Sequence, residues 1–198
     1  MMDFALCESK RLYLRDFNSD DAEAVFSYAG NAENTYFMEW GPDSREDVDN
    51  YMAQKFTEQI ESPRRRFDLA VCLRENGKLI GSAGLFLDEN RSQAELGYIF
   101  HRDYQHMGYA SEAAEALLRF GFMNLDLHRI YARCDGENLA SEAVMKRIGM
   151  RKEADMKSCK YTKVGQKQQW RGEKLYALLQ KEYLNRAFDA IRQSENRQ

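Results

Sequence analysis

Gln105-His106-Met107-Gly108-Tyr109-Ala110 follows an apolar stretch and runs straight into an amphipathic one. A glycine at such a point lets a ligand approach the backbone closely. The first N–H groups of a helix starting there have no internal partners and carry partial positive charge. The combination suits a phosphate or pyrophosphate. No G-K-[ST] follows, so this is not a nucleoside-triphosphate loop, and a single glycine does not make a dinucleotide fingerprint. Taken alone, the segment is equally a tight turn before a helix.

The elements that would hold this loop are legible from spacing. Arg11–Phe17 reads as a strand with Leu12 and Leu14 on one face. Asn18 or Ser19 can cap a helix from about Asp20 to Ala29, stopped by Gly30. Asn31–Asp43 reads as a loop with several aromatics. Ser44 with Asp47 resembles a capping box for a second helix, on which Val48, Tyr51, Met52, Lys55, Phe56 and Ile60 fall at helical spacing before Pro63. Phe67, Leu69, Val71 and Leu73 alternate with Asp68, Ala70, Cys72 and Arg74, a strand pattern. Asn76-Gly77 then signals a hairpin into Lys78–Leu87. After the polar turn Asp88–Ser92, Gln93–Phe100 completes an antiparallel meander. The loop Arg102–Gly108 leads into a helix over Ala110–Asn124. Beyond it the pattern predicts a strand over Arg129–Cys134, a helix capped by Asn138 and ended by Gly149, and closing strands over Met150–Val164 and Glu173–Gln180. Leu184, Ala187, Phe188 and Ile191 predict a short C-terminal helix. This order fits a single α/β domain with a mixed sheet.

Composition narrows the function classes. A chain of 198 residues is one domain, with or without an extension. Its 29 Lys and Arg against 32 Asp and Glu give a net charge of −3, which argues against a general nucleic-acid binder. The run Arg64-Arg65-Arg66 is the local exception, and most such runs are solvated. No apolar run reaches the ~20 residues that span a bilayer. Met1–Lys10 has no secretory pattern, so a cytoplasmic location with no membrane partner is expected. Cys7, Cys72, Cys134 and Cys159 form no C-x-x-C pair, and His101, His106 and His128 add no zinc spacing. Free thiols and no metal are the expectation.

Taken in order, several segments resemble one family. Gln105-His106-Met107-Gly108-Tyr109-Ala110, read as Q-x-x-G-x-A after a strand, is similar to the acetyl-CoA signature of the GNAT N-acetyltransferase superfamily. Asn138-Leu139-Ala140-Ser141, followed by Met145-Lys146-Arg147-Ile148-Gly149-Met150, resembles its second half. Arg11-Leu12-Tyr13-Leu14-Arg15 and the late Trp170-Arg171-Gly172-Glu173 with Leu175-Tyr176-Ala177-Leu178-Leu179 resemble the RimJ/RimL branch, which acetylates protein N-termini and related amines. The resemblance covers about residues 8–184 as one domain, leaving 185–198 as a helical extension or tail. It implies an α/β (α+β) fold with a mixed, mostly antiparallel central sheet flanked by helices.

The resemblance also implies roles. Backbone amides of Met107, Gly108, Tyr109, Ala110 and Ser111 would hold the pyrophosphate of acetyl-CoA, with Gln105 and His106 beside them. Ile99 and Phe100 would meet the pantetheine arm on the strand before the loop, and Asn138 would hydrogen-bond it. Lys146 or Arg147 would approach the adenosine 3′-phosphate. The acceptor amine is largely protonated at neutral pH and must lose a proton before attacking the thioester, a task for a carboxylate acting directly or through water. The resulting oxyanion needs backbone donors.

Glu95, on the strand leading to the loop, is the candidate base, with Glu39 and Asp43 as alternatives that would instead attract a cationic acceptor. Many family members use a tyrosine as the acid that protonates the leaving thiolate; Met145 stands there, so Ser141 is the candidate donor. Ser141 and Asn138 also read simply as the cap of their helix. Tyr36, Phe37, Met38 and Trp40 form an aromatic cluster, with Tyr36, Phe37 and Trp40 expected on a wall of the acceptor pocket. The function implied is acetyl-CoA-dependent acetylation of a primary amine by direct transfer. A protein N-terminus is the first expected acceptor, and a polyamine or small amine the alternative. A non-catalytic acetyl-CoA sensor is the competing class. The closing strands and C-terminal helix are a possible homodimer contact.

Overall fold

The computed structural model describes residues 5–164 and 167–195. Its strands are β1 (Ala5–Glu8), β2 (Leu12–Arg15), β3 (Arg66–Leu73), β4 (Leu79–Leu87), β5 (Gln93–Phe100), β6 (Arg129–Asp135), β7 (Arg151–Val164) and β8 (Lys167–Leu179). The helices are α1 (Ala22–Ala29), α2 (Arg45–Gln59), α3 (Tyr109–Met123), α4 (Leu139–Arg147) and α5 (Gln180–Glu195). The strands form one sheet in the order β1-β2-β3-β4-β5-β6-β8-β7. Every neighbouring pair is antiparallel except β5 with β6. The α/β, mostly antiparallel sheet flanked by helices is therefore present.

The central strands are apolar on both faces because both are covered. On one face Leu69 and Val71 of β3 pack with Leu85, Leu96 and the α3 residues Ala113, Ala114, Leu117 and Leu118. On the other, Ala70 and Cys72 pack with Ile99, Val25 and Tyr28 of α1, and Val48 and Met52 of α2. Period-2 alternation thus divides one strand between two cores.

Two capping boxes form, the expected one and a second at Asn18. Asn18 and Asp21 close one around a single 3-10 turn, Ser19–Asp21, so α1 itself begins only at Ala22. Ser44 and Asp47 close the other at the start of α2. The buried side of α2 is Val48, Met52, Lys55 and Glu58, while Phe56 and Ile60 are exposed. Lys55 can lie inside because its ammonium meets Glu58 at 2.7 Å and Asp68 at 3.2 Å. The run Arg64-Arg65-Arg66 is partly spent in ion pairs: Arg64 meets Asp16 at 2.6 Å and Arg66 meets Glu58 at 2.7 Å.

Three elements differ from the reading of the sequence. The four-residue β1 was not anticipated; it adds an edge to β2 across a tight turn in which Ser9 N–H donates to Leu12 O. β8 begins at Lys167 rather than Glu173, because Lys167–Arg171 pair with β7 alone and carry no apolar alternation. α5 starts at Gln180 with no loop after β8, and is 16 residues long rather than short. The side chains of Ala187 and Ile191, which suggested that helix, lie outside the described residues.

One irregularity of the sheet positions everything that follows. The parallel pairing of β5 with β6 covers only Gln93–Arg129, Ala94–Ile130 and Glu95–Tyr131. Both strands continue, β5 to Phe100 beside β4 and β6 to Asp135 beside β8, but apart from each other. A parallel connection needs a crossover, and α3 provides it, starting at the wide end of this opening.

Candidate active site

The loop before α3 has the geometry its glycine suggested. Gly108 is the N-cap of α3 at φ +82°, in the left-handed region, and no side chain caps the helix there. The N–H groups of the first turn are thus left to an incoming acceptor. Two cations flank them. Arg11 Nη1 donates to Met107 O at 3.1 Å, its Nε donates to Glu112 at 2.7 Å, and its guanidinium lies 4.2 Å from the centre of the Tyr109 ring. Arg147 of α4 donates to Ser111 Oγ at 3.2 Å. Lys146 instead pairs with Glu142 at 3.1 Å, so Arg147 is the basic residue of α4 that faces the loop.

Glu112 locks the Arg11 clamp. Burial alone would raise its carboxyl, but the Arg11 backbone N–H and guanidinium and the Ser9 hydroxyl hold it below the ordinary value of 4.5. A carboxylate depressed in the folded protein stabilises it above its ordinary value, and that contribution is lost as pH falls through the lower folded value. Melting temperature measured against pH should therefore fall in a window beginning below pH 4.5, and Glu112→Gln should flatten that acid limb.

On β5, His101 N–H donates to Ile80 O at 2.9 Å, towards β4. Backbone groups alternate sides along an antiparallel strand. Phe100, Tyr98 and Leu96 therefore present theirs to the side from which β6 has departed. The Phe100 carbonyl is already engaged, by Asn34 Nδ2 at 2.8 Å and Gln105 Nε2 at 3.0 Å. Ile99 is buried beneath α1 and α2. The open edge thus consists of the Leu96 carbonyl, the backbone groups of Tyr98 and the Phe100 N–H, with Gln105 tied to its end. His106, exposed and at φ +60°, follows in the turn.

Across the opening stands the start of α4. Asn138 caps it, its Oδ1 accepting from Ser141 N–H at 3.0 Å. The Ser141 hydroxyl is left for another partner, Tyr98: the two oxygens are 2.9 Å apart, and the Tyr98 hydroxyl also donates to Ser141 O at 3.2 Å. Burial pushes the Tyr98 hydroxyl well up from its usual range. Tyr98 was missed in the sequence, being 43 residues from Ser141 with no motif to join them. Cys134 of β6 is buried nearby, its thiol pushed up to about 11 mainly by burial.

A cavity at the C-terminal end of β6 is lined by Tyr36, Phe37, Met38 and Glu39 of the long loop, Asp135, and Lys160, Thr162, Arg171, Gly172 and Glu173 of the β7–β8 hairpin. Tyr36 and Phe37 contact edge to face, 4.9 Å between centroids. Trp40, 43% exposed, is outside this lining. Asp43 is also elsewhere, its N–H donating to Ala29 O at 3.0 Å. Gly172 is required structurally: Gly136 N–H donates to its carbonyl at 2.8 Å, and an added Cβ would sit 2.7 Å from Met156 O.

The cavity's carboxylates are paired. Arg171 Nε donates to Asp135 at 2.8 Å, and Lys160 meets Glu173 at 2.7 Å and also Glu39. Glu95 lies along the same chain of charges: Arg133 donates to both of its oxygens, at 3.0 and 2.8 Å, and reaches Glu173 at 3.8 Å. A proton-accepting Glu95 must therefore share its oxygens with Arg133.

Residues 11–151 match the model of the acetyltransferase (GNAT) domain, and the chain belongs to that family of N-acetyltransferases. It is 34% identical over 175 residues to an uncharacterized N-acetyltransferase, YnaD, of Bacillus subtilis (strain 168), covering 88% of this chain and 97% of that one. A GNAT-family acetyltransferase structure from Bacillus anthracis superposes at TM-score 0.78 with 32% identity, over 89% of this chain and 99% of that one. RimL, a ribosomal L7/L12 α-N-protein acetyltransferase solved with coenzyme A, superposes at TM-score 0.75 over 89% of this chain and 98% of its own; at 17% identity that likeness is one of fold. Transfer of an acetyl group to an amine is thus the reaction of this enzyme.

Proposed function

We propose that acetyl-CoA is the donor, that transfer is direct, and that the acceptor is the N-terminus of a protein or peptide, as the RimJ/RimL resemblance implies. The observation that carries the reading is the opening between β5 and β6, with the α3 cradle at one end and the Ser141–Tyr98 pair across it. The residues suit the donor. The first-turn amides from Tyr109 to Ser111, with Arg11 and Arg147 beside them, fit a pyrophosphate and a further phosphate. The edge from the Leu96 carbonyl to the Phe100 N–H fits the amides of a pantetheine arm, and Asn138 adds a side-chain contact. Bound there, acetyl-CoA supplies the thioester.

The chain's own groups then move protons. Glu95, oriented by Arg133, takes the proton of the acceptor amine directly or through water. Ser141, backed by Tyr98, gives a proton to the departing sulfur. Direct transfer is supported by the burial of Cys134 beside Ser141, which pushes its thiol up to about 11 and makes it a poor nucleophile. Charge balance in the cavity supports a peptide N-terminus over a polyamine. A polycation needs free carboxylates, whereas Asp135 is held by Arg171, and Glu173 and Glu39 are both engaged by Lys160. The aromatic wall of Tyr36 and Phe37 suits the residue that follows an N-terminus.

The test is CoA thiol release from acetyl-CoA across N-terminal peptides, polyamines and small amines. Release with peptides is the expected result. Release confined to polyamines would overturn the acceptor assignment. Binding of acetyl-CoA without release for any amine would favour a sensor.

A further inference from the structure

Lys160 is an amine inside the cavity proposed to receive an amine. Its position follows from an irregularity in the β7–β8 hairpin. The register shifts between Met156, opposite Glu173, and Lys160, opposite Arg171. Residues 157–159 therefore stand against Gly172 alone, and Ser158 takes φ +47° to make the bulge. The bulge delivers the Lys160 ammonium between Glu173, at 2.7 Å, and Glu39 of the aromatic loop. Its side chain is 33% exposed, against 12% for Glu173, so the ammonium closes the outer side of a more buried carboxylate. The Lys160–Glu39 pair also joins the loop bearing Tyr36 and Phe37 to the hairpin.

We propose that Lys160 occupies the acceptor's ammonium subsite and acts as its specificity determinant: an acceptor enters by displacing the lysine from Glu39 and Glu173. The inference rests on the reading of this cavity as the acceptor site. Three consequences follow from charge. An acceptor with one cation exchanges one ammonium for another, at little net electrostatic cost. An acceptor with two cations brings more positive charge than the single net negative charge of Glu39, Glu173 and Lys160 can balance, and Asp135 and Glu95 are already held by Arg171 and Arg133. Lysine at this position therefore selects against polycations by cutting the negative charge left to balance them.

Lys160→Met removes the charge and keeps the stem, Lys160→Gln does so with a polar end, and Lys160→Arg keeps the charge. Acetyl transfer is measured for each with a neutral serine-initiated tetrapeptide and with 1,4-diaminobutane, alongside the thermal melt and the affinity for CoA. The charge-free variants should lower KM for the diamine about tenfold relative to the peptide. Lys160→Arg should behave as wild type, and CoA affinity should not move. An unchanged or raised relative KM for the diamine in the charge-free variants, or Lys160→Arg behaving like them, would overturn the proposal. Calorimetric titration of 1,4-diaminobutane into wild type and the variants, with CoA present, reads displacement independently of turnover. Tighter binding in the charge-free variants supports the subsite even if wild type acetylates no amine, which would sink the reaction reading alone. Equal binding in all of them rejects the subsite even if peptides are acetylated.

Discussion

Ser141→Ala is expected to lower kcat about a hundredfold or more while leaving CoA affinity nearly unchanged. The two effects separate because the serine meets its surroundings in two ways. Its backbone N–H completes the Asn138 cap at 3.0 Å, and alanine keeps that bond. Its hydroxyl meets Tyr98 at 2.9 Å and does no capping, so α4 should stay in place without it. Tyr98→Phe should lower kcat by a smaller factor, about tenfold, since it removes the group behind the donor and leaves the donor itself. Groups that act as one unit are not additive. The double variant should therefore be no slower than Ser141→Ala by more than about twofold. Steady-state kinetics with peptide acceptors, read beside calorimetric CoA binding, decide the matter. Wild-type turnover in Ser141→Ala, or full additivity in the double variant, would reject the shared role.

The second large effect should come from Gly108. At φ +82° an L-residue is strained by about 1–2 kcal/mol, and a β-branched one by more. Space is not the obstacle, because an added Cβ would lie 3.5 Å from its nearest neighbour, Arg11 Nη2. The chain can relieve the strain by turning the 107–109 peptides, which points their N–H groups away from the cradle. Gly108→Ala should therefore weaken CoA about tenfold and Gly108→Val considerably more, with a smaller change in melting temperature. Unchanged affinity in Gly108→Val would remove this loop from the CoA site.

Where local chemistry decides structure, the sequence was readable. Ser44 with Asp47, Asn76-Gly77, and the glycine before an amphipathic helix each act within a few residues, and each gave its element. β1 escaped because four residues against one edge leave no periodic signal. The first part of β8 escaped because Lys167–Trp170 lie beyond the core, where no buried face imposes alternation. The cradle was legible for the same local reasons as its helix. The pairing of Ser141 with Tyr98, the Arg133 clamp on Glu95, and the arrival of Lys160 between Glu39 and Glu173 were not. Each joins residues distant in sequence through strand register and a bulge, and neither residue type nor spacing records such meetings.

The brief contact between β5 and β6 has a mechanical meaning as well. Within the sheet only three residue pairs join β1–β5 to the three-stranded unit of β6, β8 and β7, and side-chain contacts such as Arg133–Glu95 and Lys160–Glu39 bridge the rest. A sheet built this way has a seam, and bound CoA would lie across it as the rung that the polypeptide omits. Amide hydrogen exchange should expose this: the N–H groups of Tyr98 and Phe100 should exchange quickly in the free enzyme and slow when CoA binds. Bound donor would then be part of what holds the two halves of the enzyme together, and loss of the thiol product would loosen the seam at the end of each turnover.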